Sequence, residues 1–260
     1  MKFKNTLLQI GAACLLSGTV MAAGTPVDLT GWEANGAGTW NVSASKDDVF
    51  QTQNNGSTMF HNDKNSQGLA LSGEITVTSA SDDDFIGFVL GFKDGDLLNA
   101  SADYILIDWK QGNQIWNGAS GDAGLAISRV SGDLGTAYTT DAWGHTGKVT
   151  ELQRATNLGS TGWLDNTTYS FDLIFTASLI QVKVNGVTEL SLAGTFANGG
   201  AFSNGSFGFY NYSQPNVLYA GIEEAIAPPP EVPIPAAAFM FAPALLGFLG
   251  LRRRAKNTVA

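Results

Sequence analysis

Three consecutive carboxylates, Asp82, Asp83 and Asp84, stand directly before the apolar run Phe85–Phe92 in the segment SDDDFIGFVLGF. Like charges held that close repel, and a divalent cation would cancel the repulsion. Calcium suits such a place because it takes roughly six to eight hard oxygens from carboxylates, carbonyls and water. Successive residues of an extended strand point to opposite faces, so three neighbours can reach one ion only if the backbone turns ahead of the strand. A second acidic loop, KDGDLLN, sets Asp94 and Asp96 around Gly95, and Asp108 follows within YILIDWKQ. These six aspartates are the candidate calcium ligands, with a solvated acidic turn as the plain alternative. A complete EF-hand loop is excluded, since no Glu follows Asp94 at the required spacing.

Catalytic chemistry finds little footing. The chain has two histidines, His61 and His145. Glycoside hydrolysis needs two carboxylates about 5 to 9.5 Å apart, and the Glu-x-Asp-x-x-Glu strand of sandwich-fold glucanases does not occur. Neither a Gly-x-Ser-x-Gly nucleophile turn nor a phosphate-binding glycine loop is found. Trp116, Trp143, Tyr210 and Tyr212 could stack on sugar rings, although most aromatics of a β-sandwich belong to its core. The residues point to a binding module and not an enzyme. A polysaccharide-degrading activity and a structural role without a ligand are the alternatives.

The elements that must position these residues are strands. From about residue 24 to 226 the apolar pattern has period two, and no long helical period is found. TYSFDLIF puts Tyr169, Phe171, Leu173 and Phe175 on one face, and LIQVKV alternates Ile180, Val182 and Val184 with Gln181 and Lys183. Asn185-Gly186 then supplies a tight hairpin turn, because both residues tolerate positive φ. YILIDWKQ turns Ile105, Ile107 and Trp109 to the core, and GSFGFYNYSQ is one more strand. In FIGFVLGF, Ile86, Phe88, Leu90 and Phe92 form a bulky face, while Phe85, Gly87, Val89 and Gly91 form a slimmer one on which a bulky neighbour would pack. Many short strands with Gly, Asn and Asp turns predict an all-β, antiparallel sandwich in one domain.

Composition agrees with an exported, folded body. Of 260 residues 44% are hydrophobic, with 31 Gly, six Trp and a single Cys, so no disulfide framework is available. The net charge is −9. Lys2, Lys4, Arg252, Arg253, Arg254 and Lys256 lie in the terminal segments, and without those six the 14 basic residues fall to eight against 23 acidic ones, a net charge of −15. Such a body repels nucleic acid and anionic membranes and attracts cations.

The two ends are addresses. Residues 1–23 follow the plan of a signal peptide: Lys2 and Lys4, an apolar stretch from Leu7 to Val20, then Ala22 and Ala23. At the other end a Pro-rich linker, 227–235, leads into residues 236–260, an apolar helix interrupted by Pro243 and stopped by Arg252, Arg253 and Arg254. The run is short for a stable membrane span, and the arginines would stay cytoplasmic. Val232-Pro233-Ile234-Pro235-Ala236 with the helix and arginine cluster resembles the PEP-CTERM class of sorting signals, VPxPA variety. That resemblance implies an exosortase-type processing enzyme as partner, a transient inner-membrane contact, and a bacterial protein secreted or released at the cell surface. An ordinary C-terminal anchor is the alternative.

The body carries a second resemblance. SDDDFIGFVLGF, YILIDWKQ, WGHTG, GSTGWLDNTTYSF and GSFGFYNYSQPNVLYAGI occur in an order that resembles the C-terminal domain of thrombospondins, over about residues 40–222, with FQTQNNG at the opening. The resemblance implies a jelly-roll sandwich of the concanavalin A or L-type lectin kind. It also implies a non-catalytic, calcium-associated adhesion module of the extracellular matrix, whose partner would be an extracellular polysaccharide or cell-surface glycan. The body has no Cys, no Asp-rich calcium repeats ahead of it and no Arg-Gly-Asp, so the assembly and integrin contacts of thrombospondins are not implied.

Overall fold

The computed structural model describes residues 23–193 and 201–229. All but the last residue of the leader at 1–23, and the sorting tail, including Val232 to Ala236 and Arg252 to Arg254, lie outside the described residues. Short strands come first: β1 (Thr25–Pro26), β2 (Glu33–Gly36), β3 (Trp40–Val42), β4 (Val49–Gln51) and β5 (Thr58–His61). Longer ones follow, β6 (Leu69–Val77), β7 (Phe85–Phe92) and β8 (Asp103–Lys110). A small hairpin of β9 (Gln114–Trp116) and β10 (Ala119–Gly121) precedes β11 (Gly124–Ser131), the five-residue helix α1 (Thr140–Gly144) and β12 (Val149–Arg154). The last five strands are β13 (Thr168–Phe175), β14 (Leu179–Val184), β15 (Val187–Ala193), β16 (Ser206–Tyr212) and β17 (Val217–Ile226).

Among the described residues these strands form two large antiparallel sheets. One runs β15-β14-β13-β6-β17-β4-β3, with β1 added to β17; the other runs β12-β11-β8-β7-β16-β5-β2. The alternation read in the sequence decides what lies between them. Ile86, Phe88, Leu90, Ile105, Ile107 and Trp109 of one sheet meet Phe171, Leu173, Phe175, Ile180, Val182 and Val184 of the other in one continuous core. Tyr219 of β17 spans it: its hydroxyl accepts from Gly87 N–H (3.3 Å) and lies 2.9 Å from the Tyr210 carbonyl of the opposite sheet. The predicted hairpin turn is present, with Asn185 and Gly186 at φ 49° and 76°.

A second apolar layer covers the outer face of the seven-stranded sheet. Phe85, Val89, Tyr104, Leu106, Tyr210 and Tyr212 pack there under Leu97, Leu134, Ala142 and Trp143. This layer explains two departures from the sequence reading. Trp143 is 6% exposed and Tyr210 and Tyr212 are 0% exposed, so these aromatics are core and not surface platforms. Phe92 belongs to the outer layer with Phe85 and Val89 and not with Ile86 and Phe88. Gly91, at φ 77°, makes the break in alternation beside the register shift between β7 and β16.

Gly87 has a different reason from the one expected. A Cβ there would sit 2.0 Å from the Ile107 carbonyl oxygen, so backbone, and not a bulky side chain, occupies the space.

The sandwich has two distinct poles. β1 pairs antiparallel with β17, Thr25 opposite Glu224, so the strands that begin and end the body lie side by side. Ile226 pairs with Leu69 at the start of β6, and Val217 pairs with Val77 at its end. The chain leaves β6 at that second pole and runs through residues 78–84 into β7. Asp82, Asp83 and Asp84 therefore lie at the pole away from Thr25 and Ile226.

Candidate functional site: an acidic pole with a buried lysine

Residues 78–84 are irregular backbone ahead of β7, and that irregularity lets three neighbouring carboxylates converge. One oxygen from each of Asp82, Asp83 and Asp84 lies within 4.8 Å of the others. Asp84 is buried, while Asp82 and Asp83 are half-buried. The fold gathers the other motifs around them. From β8, Lys110 puts its Nζ 2.6 Å from Asp84 Oδ1, 2.7 Å from Gln114 Oε1 and 3.1 Å from the Asp83 carbonyl. The ammonium is 0% exposed and stands 4.6 Å from the Trp143 ring centre and 5.2 Å from that of Phe85. Gln114, on β9, donates its Nε2 to Asp83 Oδ1 at 2.8 Å. Gln214 accepts from the Asp84 N–H at 2.8 Å, and Trp163 shares its indole N–H between the Asp84 and Trp109 carbonyls, each at 3.1 Å. Asn54 donates its amide to Asp82, while its Oδ1 accepts from the Tyr138 hydroxyl at 2.7 Å.

The electrostatics follow from that census. Three carboxylates face one ammonium, a surplus of two negative charges. Burial, then the charge of Asp84, pushes the Asp82 carboxyl up to about 6. Asp84 is satisfied by Lys110, so Asp82 and Asp83 carry the unbalanced charge. The set fits a hard divalent cation: oxygen donors only, excess charge, and carbonyl and amide oxygens close by.

The other three predicted ligands lie elsewhere. Asp94 and Asp96 are beyond the far end of β7, an eight-residue strand spanning about 26 Å. Asp94 accepts from Asn35 Nδ2 at 2.8 Å. Asp96 is buried and accepts from the Lys93 N–H and Asn99 Nδ2, both at 3.0 Å, which closes its own loop. Asp108 is buried on β8 and meets His145 Nε2 at 2.9 Å; the other ring nitrogen of His145 is 3.2 Å from Glu151. Burial alone would lower the His145 imidazole, but the two carboxylates outweigh it and raise it to about 10, while the bond to His145 lowers Glu151 to about 2. His145 sits at φ 49° as the C-cap of α1, so this buried ion pair pins the WGHTG turn to the sheet.

Lys110, Gln114 and Asn54 were not foreseen. Only Lys110 left a signal, as a basic residue two positions after Asp108 on the same face of an otherwise apolar strand.

Two antiparallel sheets with a polar site at one pole define an all-β sandwich of the lectin-like fold class. Residues 35–226 match the family described as thrombospondin C-terminal region, and the chain belongs to that family. Thrombospondin-3b of Danio rerio is 26% identical over 201 residues, covering 70% of this chain and 20% of the relative. Cartilage oligomeric matrix protein of Rattus norvegicus is 26% identical over 199 residues, covering 70% and 25%. The chain thus spans about a fifth to a quarter of the length of these curated relatives. In fold it is similar to the carbohydrate binding module CBM66 from Bacillus subtilis, with a TM-score of 0.51 and 11% identity over 75% of this chain and 96% of that one.

Proposed function

We propose that the chain is an exported bacterial binding module of the extracellular matrix or cell surface. It holds calcium at the acidic pole and takes an extracellular polysaccharide or cell-surface glycan as its partner. The observation that carries the reading is the Asp82-Asp83-Asp84 cluster, whose negative charge exceeds what Lys110 cancels, in a domain of a family with matrix relatives. Asp82 and Asp83 would hold the ion, with Asp84 committed to Lys110. The bound cation would fix the loop ahead of β7 and supply a positive centre to ligand oxygens. The leader at 1–23 and the tail, with Val232 to Ala236 as the motif and Arg252 to Arg254 as the stop, support export and release by an exosortase-type enzyme.

The non-catalytic reading draws support from the commitment of two of the candidate carboxylates to cationic partners. Asp84 is held by Lys110 and Asp108 by His145.

Calorimetric titration with calcium chloride tests the metal assignment. Binding heat and a rise in melting temperature are expected, with D82N and D83N each weakening affinity at least about tenfold, or about 1.4 kcal/mol. In calcium-free buffer, D82N is expected to be more stable than the parent at neutral pH. The folded state raises the Asp82 pKa from 3.8 to about 6, so keeping it ionised above pH 6 opposes folding. No heat and no thermal shift would remove calcium from the account.

A further inference from the structure

A cleft of about 350 Å³ opens beside the acidic pole, between the β9–β10 hairpin and the segment that leads into α1. Its walls are aromatic: Trp116 is half-buried, Tyr138 is 43% exposed, and their ring centres are 6.2 Å apart. Trp143 lies behind them, 5.8 Å from Trp116. Polar groups from Asp84, Gln114 and Ser213 also line it. Asp84 and Gln114 are fixed by Lys110, and Tyr138 is tied through its hydroxyl to Asn54, so the walls are set before anything binds.

We infer that this cleft takes one ring of a neutral hexopyranose. A pyranose has an apolar C–H face that lies flat on an aromatic ring and a rim of hydroxyls that donate to carboxylate and amide oxygens. The cleft offers both surfaces at once. In the calcium-free protein the surplus negative charge at Asp82 and Asp83 disfavours uronic acids, sulfated sugars and anionic lipid, and a bound calcium ion would cancel that surplus. The inference rests on the reading of the domain as a glycan-binding module and adds the subsite, its stacking residues and the charge of the sugar.

The test titrates the full chain with free glucose, galactose and mannose and with β-linked oligosaccharides of glucose and of N-acetylglucosamine. Glucuronic and galacturonic acid oligomers form the charged arm, and each titration follows tryptophan fluorescence and heat, with and without calcium. Binding of at least one neutral sugar is expected, with weaker or no binding of the uronates in the calcium-free arm. W116A and Y138A should each weaken it about tenfold or more while leaving calcium affinity within about twofold. Both side chains lie at the cleft surface, and Tyr138→Phe, which keeps the ring and loses only the bond to Asn54, should retain most of the affinity. Sugar binding untouched by W116A and Y138A would overturn the cleft assignment and leave the glycan-binding reading standing. Preference for uronates in the calcium-free arm would overturn the charge argument and with it the assignment. No binding of any sugar tighter than about 10 mM would overturn both.

Discussion

At the scale of single residues the most consequential contact is the buried ion pair of Lys110 and Asp84. A charge removed from water is tolerable only with partners in place, and each of these two groups supplies the other's. Lys110→Met should therefore destabilise the fold by about 3–5 kcal/mol in denaturant titrations, because it strands a buried carboxylate. Adding Asp84→Leu to that variant should recover much of the loss, and a double variant worse than K110M alone would contradict the pairing. His145 gives a residue-scale prediction of opposite kind. Its folded-state pKa is raised from 6.5 to about 10, so its contribution is full below pH 6.5 and is lost as pH rises through 10. Melting temperature measured from pH 6.5 to 10 should fall more steeply for the parent than for H145Q. Identical slopes would show that the link to Asp108 and Glu151 contributes nothing. The acidic triplet was legible in the sequence because adjacent carboxylates are a local signal. Lys110, Gln114 and Asn54 were not, since each arrives from a separate segment and only the pairing of β7 with β8 brings Lys110 opposite Phe85.

At the scale of elements, β7 shows what alternation can and cannot foretell. It is central to its sheet and buried along its whole length, and its first six residues obey period two. Gly91 then breaks the period and carries Phe92 to the other face, where it packs edge-on to Tyr104 at 5.1 Å. A bulge of that kind follows from cross-strand register, which no single segment encodes. At Gly87 an added Cβ would run into the main chain of the paired strand β8. Gly87→Ala should cost about 1–3 kcal/mol or more by chemical denaturation, since its Cβ meets main chain and not a side chain that could swing away. A neutral effect would mean that β7 and β8 can separate locally without loss. β13, β14 and the Asn185-Gly186 turn were fully readable, because local pattern and turn chemistry agree there. The strands at Thr25 to Gln51 were not, being two to four residues long, with β1, β2 and β4 held by partners distant in sequence.

At the scale of the whole molecule, the sandwich class was legible from the absence of helical period and the density of turns. Its strand order was not, since β6 pairs with β13 and β17, about a hundred and a hundred and fifty residues away. The pairing of β1 with β17 carries its own prediction. A circular permutant that joins Gly24 to Ala227 through a short glycine linker and opens the exposed Asn185-Gly186 turn should fold and keep its calcium response. Loss of folding in that permutant would mean the native order of strands is itself required. The same pairing governs how the domain is displayed. A tether on either side of the body grips it at one spot, so a longer chain could carry it as a pendant and not as a link under tension. The acidic pole and its aromatic cleft lie at the end of the sandwich opposite Thr25 and Ile226 and so stay clear of any partner that grips the body there.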